Sequence, residues 1–239
     1  MKIYTTPSTT QSEKTPREYF DGGKIFYIPN GKDASSVYTN PDEIALLKKT
    51  RMSKMRKLWK FTPVVLDLMQ YVGRKDALFK ELDNAKMIFA EGGNTFDIAR
   101  LFKASFFAEW LAGQKQNPDM RFMGHSGGVV ALCDNLFGIE NLDSPRADYF
   151  NLGARDATGI GVTGNTMVLQ HKKSAFLRNG KQLADYIDET VALRKNMGLQ
   201  TIAVQDSEMF EWDLISNRKS IIKSTAGQGL NVTPYKEDL

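Results

Sequence analysis

Cysteine and histidine are scarce in this 239-residue chain, which has one of the first and two of the second. A single cysteine excludes an internal disulfide and agrees with a reducing compartment, so cytoplasm is the expected location. Cys133 lies in an apolar stretch where packing is the simplest role for it. With His125 and His171 the only imidazoles and no His-x-x-x-His spacing, a catalytic zinc site is not expected, nor is any other metal or cofactor. Long apolar runs are also missing: none approaches the roughly 18 residues that cross a bilayer, so no membrane partner is expected. The opening stretch Met1-Lys-Ile-Tyr-Thr-Thr-Pro-Ser-Thr-Thr-Gln-Ser12 lacks the apolar core of a secretory signal. Residues 1–23 are expected to be a polar leader and 231–239 a polar tail. Internal repeats and low-complexity blocks are absent.

What is present reads as one domain over residues 24–230. Hydrophobic residues make up 41% of the chain and charged residues 25%, ordinary values for a globular protein. Short apolar runs alternate with helical patterns, the sign of an α/β fold with a mainly parallel sheet and helices on both faces. Strands are expected at Lys24–Ile28, Pro63–Leu68, Lys86–Ala90, Arg121–Gly124, near Tyr149–Leu152, at Met167–Leu169 and at Thr201–Val204. Helices are expected at Pro41–Lys60, Thr95–Leu111, Gly128–Leu136 and Lys181–Met197, the last from the stripe Leu183, Ile187, Val191 and Arg194 or Lys195. The net charge is +4, yet Lys48, Lys49, Arg51, Lys54, Arg56, Lys57 and Lys60 crowd into one segment. That segment also carries Ile44, Leu47, Met55, Leu58 and Trp59 at helical spacing. A solvated basic face over a packed one accounts for it, and nucleic acid is not an expected partner.

Chemistry concentrates in Phe122-Met-Gly-His-Ser-Gly-Gly-Val-Val-Ala131, where an apolar strand enters Gly124-His-Ser-Gly-Gly128. A sharp strand-to-helix turn displays a serine hydroxyl, here that of Ser126, and glycines two residues to either side let neighbouring chain pass close. A second glycine turn, Glu91-Gly-Gly-Asn-Thr95, follows the apolar run Met87-Ile-Phe-Ala90. In an open parallel sheet both turns lie beyond the carboxyl ends of strands and face one pocket. The amides of Gly93 and Gly127 are then candidate oxyanion donors, and Asn94 either caps the next helix or orients substrate. A serine nucleophile needs a base. His125 is beside Ser126, where adjacent side chains diverge, and is expected to line the pocket or pack. His171 follows the apolar run Met167-Val-Leu169, at a strand end on the same edge, and is the candidate base.

Phe89-Ala-Glu-Gly-Gly-Asn-Thr-Phe96 followed by Phe122-Met-Gly-His-Ser-Gly-Gly128 resembles the serine peptidase family of aspartyl dipeptidase (peptidase E) and cyanophycinase. Gly159-Ile-Gly-Val162 through Leu169-Gln-His171 resembles the cyanophycinase-side approach to the catalytic histidine. The resemblance spans about Lys24 to Val204 and implies a three-layer sandwich similar to class I glutamine amidotransferases, with serine in place of the amidotransferase cysteine. It implies Ser126 as nucleophile, His171 as base, and Gly93 and Gly127 as oxyanion amides. It also implies, through the Asp-x-Pro form of Asp143-Ser-Pro145, Asp143 as the triad acid; Asp156, Asp148 and Glu140 are alternatives. The expected activity is hydrolysis of small peptides, among them those with an N-terminal acidic residue. A cyanophycinase-like isopeptidase, or a non-catalytic pocket on the same fold, is the alternative. His125 departs from the family pattern. The family's acid-gripping arginine has no clear match: Arg178 is the best physical candidate for substrate binding among the nearby cations, which include Lys172, Lys173 and Lys181. A homodimer is plausible from the family alone.

Overall fold

The apolar runs expected as strands line up beside one another because each must bury both of its faces. The computed structural model describes residues 1–5, 24–34, 40–59, 62–153, 157–172, 174, 177–178, 180–225 and 229–235. The first half holds β1 (Lys2–Thr5), β2 (Lys24–Ile28), α1 (Pro41–Trp59), β3 (Val64–Val65), α2 (Lys75–Glu81) and β4 (Ala85–Ala90). Then come α3 (Thr95–Ala104), α4 (Phe107–Gly113), β5 (Arg121–Gly124) and α5 (Gly127–Val130). The remainder holds β6 (Met167–Lys172), β7 (Leu177–Arg178), β8 (Lys181–Gln182), α6 (Leu183–Asn196), β9 (Thr201–Gln205), β10 (Met209–Asp213), β11 (Arg218–Thr225) and β12 (Gly229–Pro234).

Eight strands form one sheet in the order β12-β11-β10-β1-β5-β4-β2-β3. From β1 to β3 every pairing is parallel, and β10, β11 and β12 add an antiparallel wing. Side-chain alternation splits the interior into two layers. Ile3, Phe26, Ile88, Phe122 and Phe210 enter one core together with Phe96, Leu101 and Phe107 of α3 and α4 and Ile187 of α6. Tyr4, Tyr27, Met87, Phe89 and Met123 enter the other, which includes Met55 of α1. Helices thus cover both faces, the expected α/β sandwich. No helix among the described residues is long and apolar enough to cross a membrane.

Several local expectations need correction. Residues 2–5, assigned to the polar leader, are an inner strand, with Ile3 and Tyr4 buried on opposite faces. The threonine that made them look polar is used there, since Thr5 Oγ1 accepts the Phe210 amide at 2.9 Å. Residues 231–234 of the expected tail pair with β11. Around Tyr149–Leu152 a turn replaces the strand, because the Asp148 carboxylate accepts the amides of Leu152 (2.8 Å) and Gly153 (3.0 Å). Of Pro63–Leu68 only Val64–Val65 pairs with a neighbour. The helix expected over Thr95–Leu111 breaks into α3 and α4 where the Ser105 hydroxyl donates to Leu101 O at 2.7 Å and Phe106 turns left-handed at φ 64°. The helix expected over Gly128–Leu136 stops at Val130. The chain beyond it bonds instead to the loop at residues 159–164: Ile160 N to Ala131 O, Thr163 N to Leu132 O and Gly159 N to Asp134 O.

Cys133 is buried in the larger core as expected, and burial pushes its thiol pKa up. Beside it lies Arg194 of α6, fully buried although the helical stripe gave no reason to bury a guanidinium. Its nitrogens donate to Asn135 O (2.8 Å), Phe137 O (3.0 Å), Asn165 O (3.0 Å) and Thr201 Oγ1 (2.9 Å), tying three segments of chain to one side chain. Arg194→Met leaves those partly buried acceptors without their donor and empties the buried guanidinium site, and we expect it to cost about 3–5 kcal/mol of stability. Urea unfolding checks this, and a loss below about 1 kcal/mol would show that the carbonyls are satisfied without the guanidinium.

Candidate active site

Four strand ends build the site, those of β5, β6, β9 and β4. At the end of β5 the backbone of Ser126 adopts φ 48° and ψ −122°, a conformation that non-glycine residues take only when the surroundings force it. The force comes from crowding: a methyl on Gly124 would lie 2.7 Å from the Val129 amide nitrogen, and one on Gly128 would lie 2.7 Å from the Ala90 carbonyl oxygen. Only glycine at both places lets the turn close, as the motif requires. The Ser126 hydroxyl has no hydrogen-bond partner among the described residues, so it is available to a ligand.

At the end of β6, in a two-stranded sheet with β9, the pairing register shifts between Leu169 and Lys172, and His171 takes φ 73°. In an uninterrupted strand Gln170 and His171 would point to opposite faces; a bulge re-aims them. Gln170 Oε1 accepts the Ser126 amide, which ties the nucleophile turn to β6. His171 Nδ1 lies 2.7 Å from Oδ1 of Asp206, the first residue after β9. Its ring also meets that of His125 edge-on at 5.9 Å. Sequence reasoning missed Gln170 and Asp206. One signal was readable, since a carboxylate directly after an expected parallel strand stands on the edge that carries the other residues.

At the end of β4 the turn from Glu91 to Asn94 packs on the nucleophile turn. A methyl on Gly127 would come within 2.4 Å of the Gly93 carbonyl oxygen, so the two backbones touch. The amides of Gly93 and Gly127 donate to no described residue. Asn94 is a helix cap: Oδ1 accepts the amides of Phe96 (3.1 Å) and Asp97 (3.2 Å), and Nδ2 donates to Ser144 O at 3.0 Å. Those bonds make Asn94 the cap, and one hydrogen of Nδ2 takes no part in them.

The structure pairs His171 with Asp206 and not with Asp143. The Asp143 carboxylate accepts the backbone amide and the hydroxyl of Thr95, at 2.9 and 2.6 Å, and so pins its loop to the start of α3. It also lines a cleft of about 310 Å³ formed by residues 140–146. Asp148 staples its own turn, and Glu140 accepts the Gly138 amide at 2.7 Å. Asp156 and Lys173 lie outside the described residues; of Arg178 only the backbone, in β7, is described. Lys181 pairs with Glu189 on the surface.

His125 lines the inner wall, with its side chain 15% exposed and Nδ1 3.9 Å from Oε2 of the fully buried Glu91. Burial, more than the nearby cations Lys32 and Arg51, pulls its pKa down to about 3, so the imidazole is neutral at physiological pH. Burial alone would raise the Glu91 carboxyl. Arg51, Lys32 and His125 outweigh it and hold that group down to about 2. No group of three or more metal-ligating side chains occurs among the described residues.

No family model and no curated protein sequence matches the chain. Among solved structures, a protein of Listeria monocytogenes EGD-e provisionally named peptidase E superposes with a TM-score of 0.61 at 17% identity, over 98% of each chain. A peptidase from an acI-B1 actinobacterium gives a TM-score of 0.61 at 16% identity, over 99% of this chain and 95% of the other. At that identity the likeness establishes the fold alone: this chain has the α/β fold of those two proteins.

Proposed function

We propose that the chain is a serine hydrolase that cleaves small peptides through an acyl-enzyme on Ser126. The observation that carries this reading is the strained Ser126 turn, roped through Gln170 to the strand that presents a His171–Asp206 pair. In the proposed cycle, Asp206 accepts the Nδ1 proton of His171 in a hydrogen bond, leaving Nε2 to take the proton of Ser126 Oγ. The oxygen attacks the peptide carbonyl. The amides of Gly93 and Gly127 receive the developing oxyanion, and protonated His171 gives its proton to the departing amine. Water then attacks the ester, with His171 acting as base again. The two solved structures described above are called peptidases, which favours a peptide bond over an ester. A dipeptide with an acidic first residue is the preferred substrate class within this reading.

The test is two-fold. A fluorophosphonate probe is expected to label wild-type protein at Ser126 and to leave Ser126→Ala unlabelled. A dipeptide panel with Asp-X, Glu-X, neutral-X and β-aspartyl-arginine members is expected to release free amino acid only with Ser126 intact, and the loss in Ser126→Ala should exceed about 10³-fold. Labelling elsewhere, or cleavage that survives the substitution, would overturn the proposal.

A further inference from the structure

We propose that Arg51, with Lys32 beside it, receives a carboxylate of the substrate, and that Glu91 beneath them orients the guanidinium for that role. This rests on the hydrolase reading of Ser126 and adds the group that would align the peptide against it. The basic segment at residues 48–60 supplies the first observation. Two of its cations are not merely solvated: Lys48 Nζ lies 2.6 and 2.8 Å from the Asp33 carboxylate oxygens, and Arg51 Nε lies 2.6 Å from Glu91 Oε1. These bonds dock α1 at the carboxyl edge of the sheet, where the candidate catalytic residues gather.

Charge is the second observation. Glu91 is fully buried and takes two cations, Arg51 and Lys32, the latter with Nζ 3.2 Å from Oε2. Tyr27 also donates its hydroxyl to Oε1 at 3.2 Å. With His125 neutral, two positive charges face one negative, and the cluster is left with one positive charge in excess. An excess charge held in a partly buried cluster is unfavourable unless an anion comes to it. The Lys32 and Arg51 side chains are 15% and 29% exposed, so an anion can reach them from solvent, which it cannot do at Glu91.

Geometry is the third. Arg51 spends only Nε on Glu91, and its two terminal nitrogens have no hydrogen-bond partner among the described residues. That pair of donors is the edge of a guanidinium that matches a carboxylate with two parallel bonds. Its link to the chemistry runs through Glu91. That residue is joined to Gly92, where a methyl would lie 2.8 Å from Ser126 Cβ, and Glu91 Oε2 is 3.9 Å from His125 Nδ1. Arg51 and His125, the residue before the nucleophile, thus both lie against one carboxylate.

A peptide carries carboxylates of two origins, an acidic side chain and the chain terminus, and two small compounds separate them. L-Isoasparagine keeps the side-chain carboxylate and has an α-amide; L-asparagine is the reverse. The experiment measures the concentration of each that halves the rate at which a neutral fluorophosphonate labels Ser126. It uses full-length wild type, Arg51→Lys, which keeps the charge but loses the fork, and the double variant Arg51→Met/Glu91→Gln, which removes that ion pair together and leaves Lys32 as the remaining cation. At least one compound is expected to protect the wild type, and the one that does names the origin. Protection should weaken at least tenfold in Arg51→Lys and further in the double variant, with thermal melting confirming that both are folded. Absence of protection in the wild type, or equal protection in all three proteins, overturns the proposal. If Ser126 does not label at all, the hydrolase reading falls, and calorimetry with the same two compounds decides the carboxylate site separately: binding weakened in Arg51→Lys supports it, and no binding or unchanged binding overturns it.

Discussion

Asp206→Asn is expected to slow the reaction of Ser126 by about 10³ to 10⁴-fold, whereas Asp143→Asn is expected to slow it by less than about tenfold. The difference follows from what each carboxylate touches. Asp206 lies 2.7 Å from His171 Nδ1, where, in the cycle proposed above, it would hold the proton on that nitrogen and stabilise the imidazolium formed as Ser126 attacks. An amide there can present its N–H to Nδ1, which moves the ring proton to Nε2 and removes the base. Asp143 instead accepts two hydrogen bonds from Thr95, and the carbonyl oxygen of asparagine keeps at least one of them. Rates of fluorophosphonate labelling across pH 5–9 compare the two variants without requiring a known substrate. Equal losses, or a larger loss at Asp143, would return the acid to the Asp-x-Pro element that the family resemblance pointed to.

That reversal shows which parts of the site are spelled locally and which are not. The two glycine turns were legible because their chemistry is steric and lies within five residues: only small residues allow β4 and β5 to end in touching loops. His171 was legible by scarcity, since a chain with two histidines offers few bases. Asp206 is 35 residues beyond His171, and it meets the imidazole only because β6 and β9 run parallel and β6 bulges at Gln170 and His171. Hydrophobic periodicity predicts that a strand exists but not which strand lies beside it. β1 went unseen for a related reason: four residues that begin with lysine and end with threonine look like a leader until β5 and β10 pair with both edges. Glu91 and Arg194 were obscured by the prior that charged side chains face water. Each is buried because several distant groups converge on it, and such convergence is set by tertiary structure.

Acid is expected to unfold this protein along an unusually steep course between pH 6.5 and 3, and His125 with Glu91 sets that slope. The folded pKa of His125 is depressed to about 3, while in the unfolded chain the imidazole takes a proton near its ordinary value of 6.5. The unfolded state therefore binds the extra proton, and stability present above pH 6.5 is lost as pH falls, at about 1.4 kcal/mol per pH unit and up to about 5 kcal/mol by pH 3. Glu91 has the same sign. Its folded value is depressed to about 2 from 4.5, so its contribution is complete above pH 4.5 and declines below it, by up to about 3 kcal/mol. The two do not simply add, because Glu91 Oε2 and His125 Nδ1 are 3.9 Å apart and protonating either changes the other. Urea midpoints at pH 8, 6.5, 5.5 and 4.5 read the histidine arm before the carboxylate arm begins. In His125→Gln that arm should disappear, leaving a nearly flat course from pH 6.5 to 4.5 where the wild type loses about 2–3 kcal/mol. Parallel curves for the two proteins would mean that His125 protonates in the folded state, and with it the site would carry a second positive charge beside Ser126 at mildly acid pH.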